Sequence, residues 1–284
     1  MNLRTRRYLT DHVMRVLAYL MAALAIFPLL DLLWQVTSRA IPGLGLQVFT
    51  QSVQGNGGGL LNAIEGTLVI VVLATLISAP LGIFGGLYVA EYDPHGRFAQ
   101  VIRFTTDVLA GVPSIVIGYF GFVALVVGLG WHFSLLAGSM ALSVMSLPYI
   151  LRSTEVAFQS LRPDIREASL ALGADRVTTI FRVLFPPAIP GILTGLLLAI
   201  SISLGETAPL IYTAGWSVFP PSLQLTNSPV GYLTYVIWTF INNPLAEAHV
   251  LAYAAAFILI VLILVLNVIV RRVFGRSNPA LGRF

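Results

Sequence analysis

The pattern of apolar and polar positions divides the chain into long apolar stretches that are separated by shorter polar connections. An apolar stretch of about 20 residues is long enough to cross roughly 30 Å of hydrocarbon as a helix. Six such stretches occur, near residues 13–36, 66–89, 104–129, 133–150, 189–214 and 250–270. The pattern therefore predicts an all-α membrane protein with six transmembrane helices in a single membrane domain, residues 1–284.

The composition agrees with a membrane location and removes several kinds of chemistry. Only 10% of the residues are charged, whereas about 25% is usual for a soluble domain. The chain contains neither Lys nor Cys, so a Walker A phosphate loop, a Lys Schiff base and a thiolate nucleophile are all excluded. The four His residues lack partners at metal-ligand spacing, so we expect no metal site. We also expect no cofactor bound by this chain.

The arginines are distributed very unevenly along the predicted topology. Fifteen of the sixteen fall at the chain ends or in connections on one side, and only Arg39 falls on the other side. Because arginines are retained on the cytoplasmic side, both termini and the connection between spans four and five are predicted to be cytoplasmic. The arginines on the cytoplasmic side thus explain the net charge of +4, and binding to nucleic acid is not needed to explain it.

That connection, residues 152–188, is unusually long and carries signals of ordered structure. Pro163 and Asp164 suit the first turn of a helix, and Gly173 suits its end. A short capped helix is therefore predicted over residues 163–172. Since connections between helices are usually short, a docking surface explains this loop better than a simple linker does.

Two acidic residues are predicted at membrane depth, where a charge costs about 2.5–3.5 kcal/mol on an insertion scale. Asp107 belongs to a stripe on span three, and Glu206 belongs to one on span five. The small residues in these stripes suit helix packing, which is their commonest use in membranes. Helix packing does not require a carboxylate at Glu206, so this residue indicates a function. Asp107 suits a solvated helix end and a gate equally well.

The segment "EASLALGA", followed by "FPPAIPG", is similar to the EAA loop of ABC-importer permeases. Residues 152–188 are called the EAA loop from here on. The resemblance implies a type I ABC-importer (MetI-like) permease fold, in which this loop forms a coupling helix that docks on an ATPase subunit. The residues that it implies for coupling are Ile165, Arg166, Glu167, Ala168, Ser169, Ala171, Leu172 and Gly173.

Further segments resemble the PstA-type permeases of phosphate importers, namely "GGGLLNAIEGTL", "APLGIFGGLYVAEY", "GVPSIVIGYFG" and "GETAPL". This resemblance implies inorganic phosphate as substrate and a multi-pass location in the bacterial cytoplasmic (inner) membrane. It implies three partners: a second, PstC-like permease, a PstB-like ATPase dimer that carries ATP and Mg²⁺, and an extracytoplasmic PstS-like phosphate-binding protein. The predicted translocation path or gate comprises Asp107, Ser114, Ser203, Glu206 and Thr207.

The chain departs from the family at the position one turn before Glu206. Members commonly carry an Arg there that pairs with the Glu, whereas this chain has Ile202. Either Glu206 is neutral at rest or a partner supplies the Arg, and we favour the partner.

Two functions of other classes compete with the ATP-driven importer. The first alternative is a self-sufficient secondary transporter that uses Asp107 and Glu206 as an ion relay, which would leave the long loop without a role. A membrane enzyme is disfavoured because no nucleophile and base converge.

Overall fold

The computed structural model describes residues 3–274 except residues 56 and 223. The helices are α1 (Leu3–Ala40), α2 (Gln47–Thr50), α3 (Leu61–Leu87), α4 (Arg97–Gly111), α5 (Ser114–Gly121), α6 (Leu135–Gln159), α7 (Pro163–Ala171), α8 (Arg176–Thr178), α9 (Phe185–Gly205), α10 (Ala208–Thr213), α11 (Leu233–Ile241) and α12 (Ala246–Phe274). A 3₁₀ turn covers Ile41–Gly43, and π-helical segments cover Tyr88–Tyr92, Phe122–Gly128 and Thr179–Leu184. Strands β1 (Val53–Gln54) and β2 (Gly57–Gly58) form an antiparallel pair.

The spans agree with the apolar stretches, with one difference in shape. Among the described residues, five helices are long and apolar enough to cross a membrane, and a bent pair supplies a sixth. The predicted span over residues 104–129 is a bent pair, and the single stripe predicted along it is wrong, because α4 and α5 meet at 102°. Val112 is extended (φ −74°, ψ 128°), as residues before a proline prefer. Asp107 and Ser114 therefore do not share one helix face.

Both ends of the fifth span differ from the predicted residues 189–214. A continuous helical run extends from Arg176 to Gly205, so the helix begins well before residue 189. Pro186 and Pro187 lie within this run, just after the π-helical segment Thr179–Leu184. At the other end Glu206 is extended (φ −73°, ψ 133°), and α10 is a separate short helix.

Helix α6 lies at the centre of the bundle, between α3 and α9, and glycines allow both neighbours to approach it closely. A Cβ on Gly86 of α3 would lie 2.5 Å from the carbonyl oxygen of Leu151. A Cβ on Gly195 of α9 would lie 2.0 Å from the Cβ of Ser153. The Ser153 hydroxyl donates to the carbonyl of Gly191 at 2.8 Å. The predicted use of the span-five glycines in packing is thus confirmed.

The two ends of the bundle differ in how they are closed. At the end opposite the EAA loop, the hairpin and α11 pack on α3 and α12, burying Leu60, Leu233 and Val236 completely. At the end with the EAA loop, a smaller apolar cluster includes Leu87, Phe158 and Leu184. This second cluster brings the ends of α3 and α6 together with the start of α9.

Helix α1 stands apart from this bundle over most of its length. Its apolar stretch is exposed along the whole span. It contacts α12 near its C-terminal end, where Arg39 donates to the Tyr253 hydroxyl at 2.6 Å and lies over its ring. The other spans therefore form the packed body that positions the sites described below.

Candidate coupling and translocation sites

The predicted short helix in the EAA loop is confirmed as α7, with the caps that its sequence indicates. Pro163 occupies the first turn, and Gly173 follows the helix with φ +84°, a conformation that favours glycine. The amide of Gly173 donates to the Leu170 carbonyl, and that of Ala174 donates to the Ser169 carbonyl. These two bonds form a Schellman motif, which fixes the end of the helix.

The eight residues predicted for coupling divide between two faces of this short segment. Arg166 and Ser169 turn toward their own chain, where the Ser169 hydroxyl pairs with the Thr179 hydroxyl at 2.9 Å. Leu172 is 90% exposed. The remaining members are exposed as well, namely Ile165, Glu167, Ala168, Ala171 and Gly173. An apolar and small-residue face is therefore free for a partner, while Arg166 and Ser169 hold the helix to the body.

The inward face of α7 is held by a buried carboxylate at the end of α3. Glu91 lies in the π-helical segment Tyr88–Tyr92, and its side chain is 5% exposed. Arg166 donates through Nε and Nη2 to the two Glu91 carboxylate oxygens, with 2.9 Å for the Nε bond. Arg176 donates to the carbonyls of Glu91 at 2.5 Å and Tyr92 at 2.7 Å, and it stacks over the Tyr92 ring. Two arginines of the EAA loop thus converge on one end of α3.

A second buried carboxylate ties the neighbouring helices together. Glu155 of α6, 2% exposed, accepts from Arg103 of α4 at 2.7 Å and from Arg152 at 2.9 Å. Arg103 also donates to the Val89 carbonyl at 3.1 Å and the Pro94 carbonyl at 2.7 Å. The guanidinium of Arg103 therefore connects α4, α6 and the π-helical segment that ends α3.

Two ionisable groups of the EAA loop have shifted pKa values. Hydrogen bonds to Glu91 raise the pKa of Arg166 above its ordinary value, so this guanidinium stays charged. The Thr178 side chain lowers the pKa of Asp175, which also accepts from the Thr178 amide as the N-cap of α8. Both shifts favour the charged forms on which the local contacts depend.

The residues predicted for the translocation path fall around the two helix breaks. Ser114 begins α5, and its side chain interacts with the carboxyl of Glu206, the residue at which α9 ends. A Cβ on Gly118 would lie 2.6 Å from the Cα of Pro209, so α5 packs directly on α10. The break in span three and the break in span five therefore meet.

The other three predicted path residues have different surroundings. Ser203 is buried, and its hydroxyl pairs with that of Ser146 on α6 at 2.8 Å. Thr207 directly follows Glu206 and precedes α10. Asp107 is exposed and lies before the bend, and in the described part of the chain no hydrogen bond joins its side chain to the other four. The structure thus brings Ser114 and Glu206 together and leaves Asp107 outside their contact.

Several of the residues that organise the EAA end were not among the predicted site residues, namely Glu91, Arg103, Glu155 and Arg176. Glu91 lies in the apolar segment "YVAEY". A carboxylate in such surroundings requires a cation. This requirement could have identified Glu91 from the sequence as a residue with a charged partner. Spacing along the sequence could not identify the cation, because Arg166 lies 75 positions away.

Comparison with known proteins assigns the chain to a class. A family model described as "Binding-protein-dependent transport system inner membrane component" matches residues 82–279, which is more than half of the chain. The chain belongs to this family. It is therefore a multi-pass inner-membrane component of an ABC importer, and the importer includes an ATPase and other subunits.

Curated relatives match almost the whole chain. "Phosphate transport system permease protein PstA 2" of Mycobacterium bovis is 46% identical over 261 residues, covering 92% of this chain and 86% of that protein. "Phosphate transport system permease protein PstA" of Haemophilus influenzae is 36% identical over 276 residues, covering 94% and 95%. The predicted PstA-type resemblance is thus confirmed, and the chain is a transport component rather than an enzyme.

A solved structure confirms the fold. The inward-facing MetNI methionine ABC transporter contains a chain that matches with a TM-score of 0.62 at 19% identity, covering 77% of this chain and 96% of that one. The MetI-like permease fold predicted from the sequence is therefore confirmed.

Proposed function

We propose that this chain is one of two permease subunits of an ATP-driven importer of inorganic phosphate. The substrate is supported by the relatives named as phosphate transport permeases, at 36–46% identity over most of the chain. The other subunits would be a PstC-like permease, a PstB-like ATPase dimer carrying ATP and Mg²⁺, and a PstS-like phosphate-binding protein.

The main support for a coupling role is that α7 has one exposed face and one face that is bound to its own chain. Its outward face offers Leu172 and small residues to a partner, while its inward face is bound to the end of α3 through Arg166. A helix that is free on one side and fixed on the other transmits force from an ATPase to the bundle. When ATP closes the ATPase dimer, α7 would move as a lever and change which side of the path is open.

The path itself would pass the meeting point of the two helix breaks. Glu206 does not act as the receptor for phosphate, because two anions repel each other. Ser114 gives Glu206 a hydroxyl partner within this chain, and an Arg from the second permease would supply the cation that Ile202 does not. Phosphate would be delivered to the opposite end of the bundle by the binding protein, docking on residues 37–65 and 215–249.

The proposed orientation places both termini and the EAA loop in the cytoplasm. Because the chain has no native Cys, single cysteines report on sidedness without background. Arg162→Cys, at a position where the side chain is 79% exposed, should react with a membrane-impermeant maleimide only from the cytoplasmic side. Gln51→Cys should react only from the other side, and the reverse pattern would overturn the orientation.

The function is tested by reconstituting the chain with its three proposed partners in proteoliposomes. Uptake of radiolabelled phosphate should require ATP on the EAA side and binding protein on the other side. Leu172→Glu should abolish co-purification with the ATPase, whereas the exposed Leu46→Glu at the opposite end should not. Gly173 is a poorer probe, because its positive φ means that any side chain there strains the helix end.

Two results would reject the proposal. Phosphate uptake by this chain alone, driven by an ion gradient, would support the secondary transporter instead. Uptake of another oxyanion in place of phosphate by the complete complex would retain the importer and replace the substrate.

A further inference from the structure

The π-helical segment Tyr88–Tyr92 is the place where the transmembrane bundle and the EAA loop meet. From the bundle side, Arg103 of α4 donates to the Val89 carbonyl. From the loop side, Arg166 binds the Glu91 carboxylate and Arg176 binds the carbonyls of Glu91 and Tyr92. Val89, Glu91 and Tyr92 of this five-residue segment therefore accept hydrogen bonds from both parts of the molecule.

The Glu91–Arg166 contact has the geometry of a rigid connection. Both carboxylate oxygens are bound by one guanidinium, and this paired arrangement fixes the relative orientation of the two groups. The Glu91 side chain is almost completely buried, so losing its partner would leave an uncompensated charge. Separating α7 from the end of α3 is therefore much less favourable than moving the two together.

The other attachments of α7 lead to a different helix. The Ser169–Thr179 hydroxyl pair joins α7 to the π-helical segment that continues into α9. Within the described residues, Arg166 makes the only side-chain hydrogen bonds that join α7 to α3 or to its π-helical end. The hydrogen-bonded connection between α7 and α3 thus depends on a single acidic residue.

We propose that Glu91 is a positioning residue that locks the end of α3 to the coupling helix, so that α3 and α7 move as one body during transport. The inference rests on the proposed docking of α7 on an ATPase, but it does not depend on the identity of the substrate. In this arrangement Arg166 is an internal link rather than a contact with the partner. Removing the Glu91 charge should leave α7 able to bind the ATPase while α3 no longer follows it.

The direct test measures the distance between α7 and α3 in the assembled complex. Spin labels are placed at the exposed Phe84 of α3 and Leu170 of α7 after substitution with cysteine, in the otherwise cysteine-free chain. The inter-label distance should stay narrow and unchanged when the ATPase is trapped with nucleotide. In Glu91→Gln it should broaden and shift on trapping, whereas in Arg162→Gln it should match the parent.

Arg162 is a suitable control because it lies in the same loop and, within the part of the chain that the structure describes, its side chain pairs only with Asp164, in an exposed contact. A change of distance in the parent on nucleotide trapping would show that the contact breaks during the cycle and would overturn the proposal. A narrow, unshifted distance in Glu91→Gln would overturn it as well, since α3 would then follow α7 without the carboxylate.

The second test measures the coupling between hydrolysis and uptake in proteoliposomes. Glu91→Gln, Arg166→Gln and the double variant should each lower the phosphate transported per ATP by about tenfold. The ATPase should still co-purify with all three variants. The double variant should be no worse than either single variant, because all three remove the same contact. Independent, multiplying losses would contradict a shared contact.

The two tests separate this inference from the proposed function. Absence of phosphate uptake by the parent complex would reject the proposed substrate, while the spin-label distances, which require no substrate, would still decide the role of Glu91. If Glu91→Gln fails to assemble, the charge exchange Glu91→Arg with Arg166→Glu provides the alternative variant. Recovery of the narrow distance in that double variant supports the lock, and a broad distance contradicts it.

Discussion

Glu91 and Glu206 both place a carboxylate in an apolar bundle, but their surroundings differ. Glu91 is bound on both oxygens by Arg166, and its own carbonyl accepts from Arg176. Glu206 is half-buried and interacts with the hydroxyl of Ser114, and among the described residues it has no Arg partner. The first arrangement suits a permanent joint, whereas the second leaves a charge whose partner can change during a transport cycle.

The same contrast holds for the elements around each carboxylate. At the EAA end, ionic contacts join helices that are distant in sequence, and Glu155 adds a second set through Arg103. At the helix breaks, α5 and α10 meet through close backbone packing at Gly118. Ion pairs therefore join the helices at the EAA end, whereas close packing of α5 on α10 joins the two helix breaks.

Arg103→Ala should have the largest effect on stability, because it leaves Glu155 buried with a weaker set of partners and breaks the link to the end of α3. Removing one member of a buried ion pair costs about 3–5 kcal/mol. The free energy of unfolding can be measured by denaturant titration in detergent micelles. Arg15→Ala, which removes an exposed pair with Asp11, should cost less than about 1 kcal/mol. Equal losses would contradict the structural role of Arg103.

Gly118→Val should have the next largest effect and should act through shape alone. The new side chain meets the backbone of Pro209, and overpacking of this kind costs about 1–3 kcal/mol. It should also reduce phosphate uptake, because it separates Ser114 from Glu206. Gly111→Val is the matched control, since a Cβ there meets nothing within 4 Å. A variant at Gly118 with full stability and full uptake would show that the two breaks need not touch.

Glu206→Gln should change stability by less than about 1 kcal/mol, because the amide keeps the shape and can still bind the Ser114 hydroxyl. Uptake in the reconstituted complex should nevertheless fall, because the proposed pairing with an Arg of the second permease requires the negative charge that this variant removes. This result would distinguish Glu206 from Glu91, whose neutral variant loses a buried ion pair. Undiminished uptake would remove Glu206 from the mechanism.

Asp175 should give the smallest effect, a local dependence on pH. Its pKa is lowered in the folded chain below the ordinary 3.8, so its contribution is present above that value and is lost as the pH falls through the folded pKa. Hydrogen exchange at the Thr178 amide should therefore become faster, relative to its intrinsic rate, as the pH falls below 3.8 and through the lowered pKa of Asp175. Asp175→Asn keeps a capping side chain and should show no such change.

Much of the fold could be predicted because the lipid environment imposes simple rules on the sequence. Apolar length identified the spans, and the caps of α7 followed from Pro163 and Gly173. The bend in the third span could not be predicted from proline alone. Pro80, Pro148 and Pro190 all lie inside continuous helices, whereas Val112 before Pro113 leaves the helix. Tertiary packing decides which prolines break a span.

The sequence identified the kinds of residue in the candidate sites, but it did not identify which residues contact each other. Intervals of three and four residues placed Ser203 and Glu206 near each other, but the partners Ser146 and Ser114 lie on other helices. Arg166 was predicted among the residues that couple to an ATPase, whereas its side chain binds Glu91 of its own chain. Its actual direction depends on where α7 lies relative to α3, and local sequence does not contain that information.

The π-helical turn at the end of α3 fixes which way Glu91 points. A π-helical turn accommodates one more residue than a regular turn does. Each residue in a helix advances the side-chain direction by about 100°. A chain with one residue deleted between Tyr88 and Glu91 would therefore swing the carboxylate toward lipid or another helix, so insertion and deletion at this point are constrained even where substitution is not.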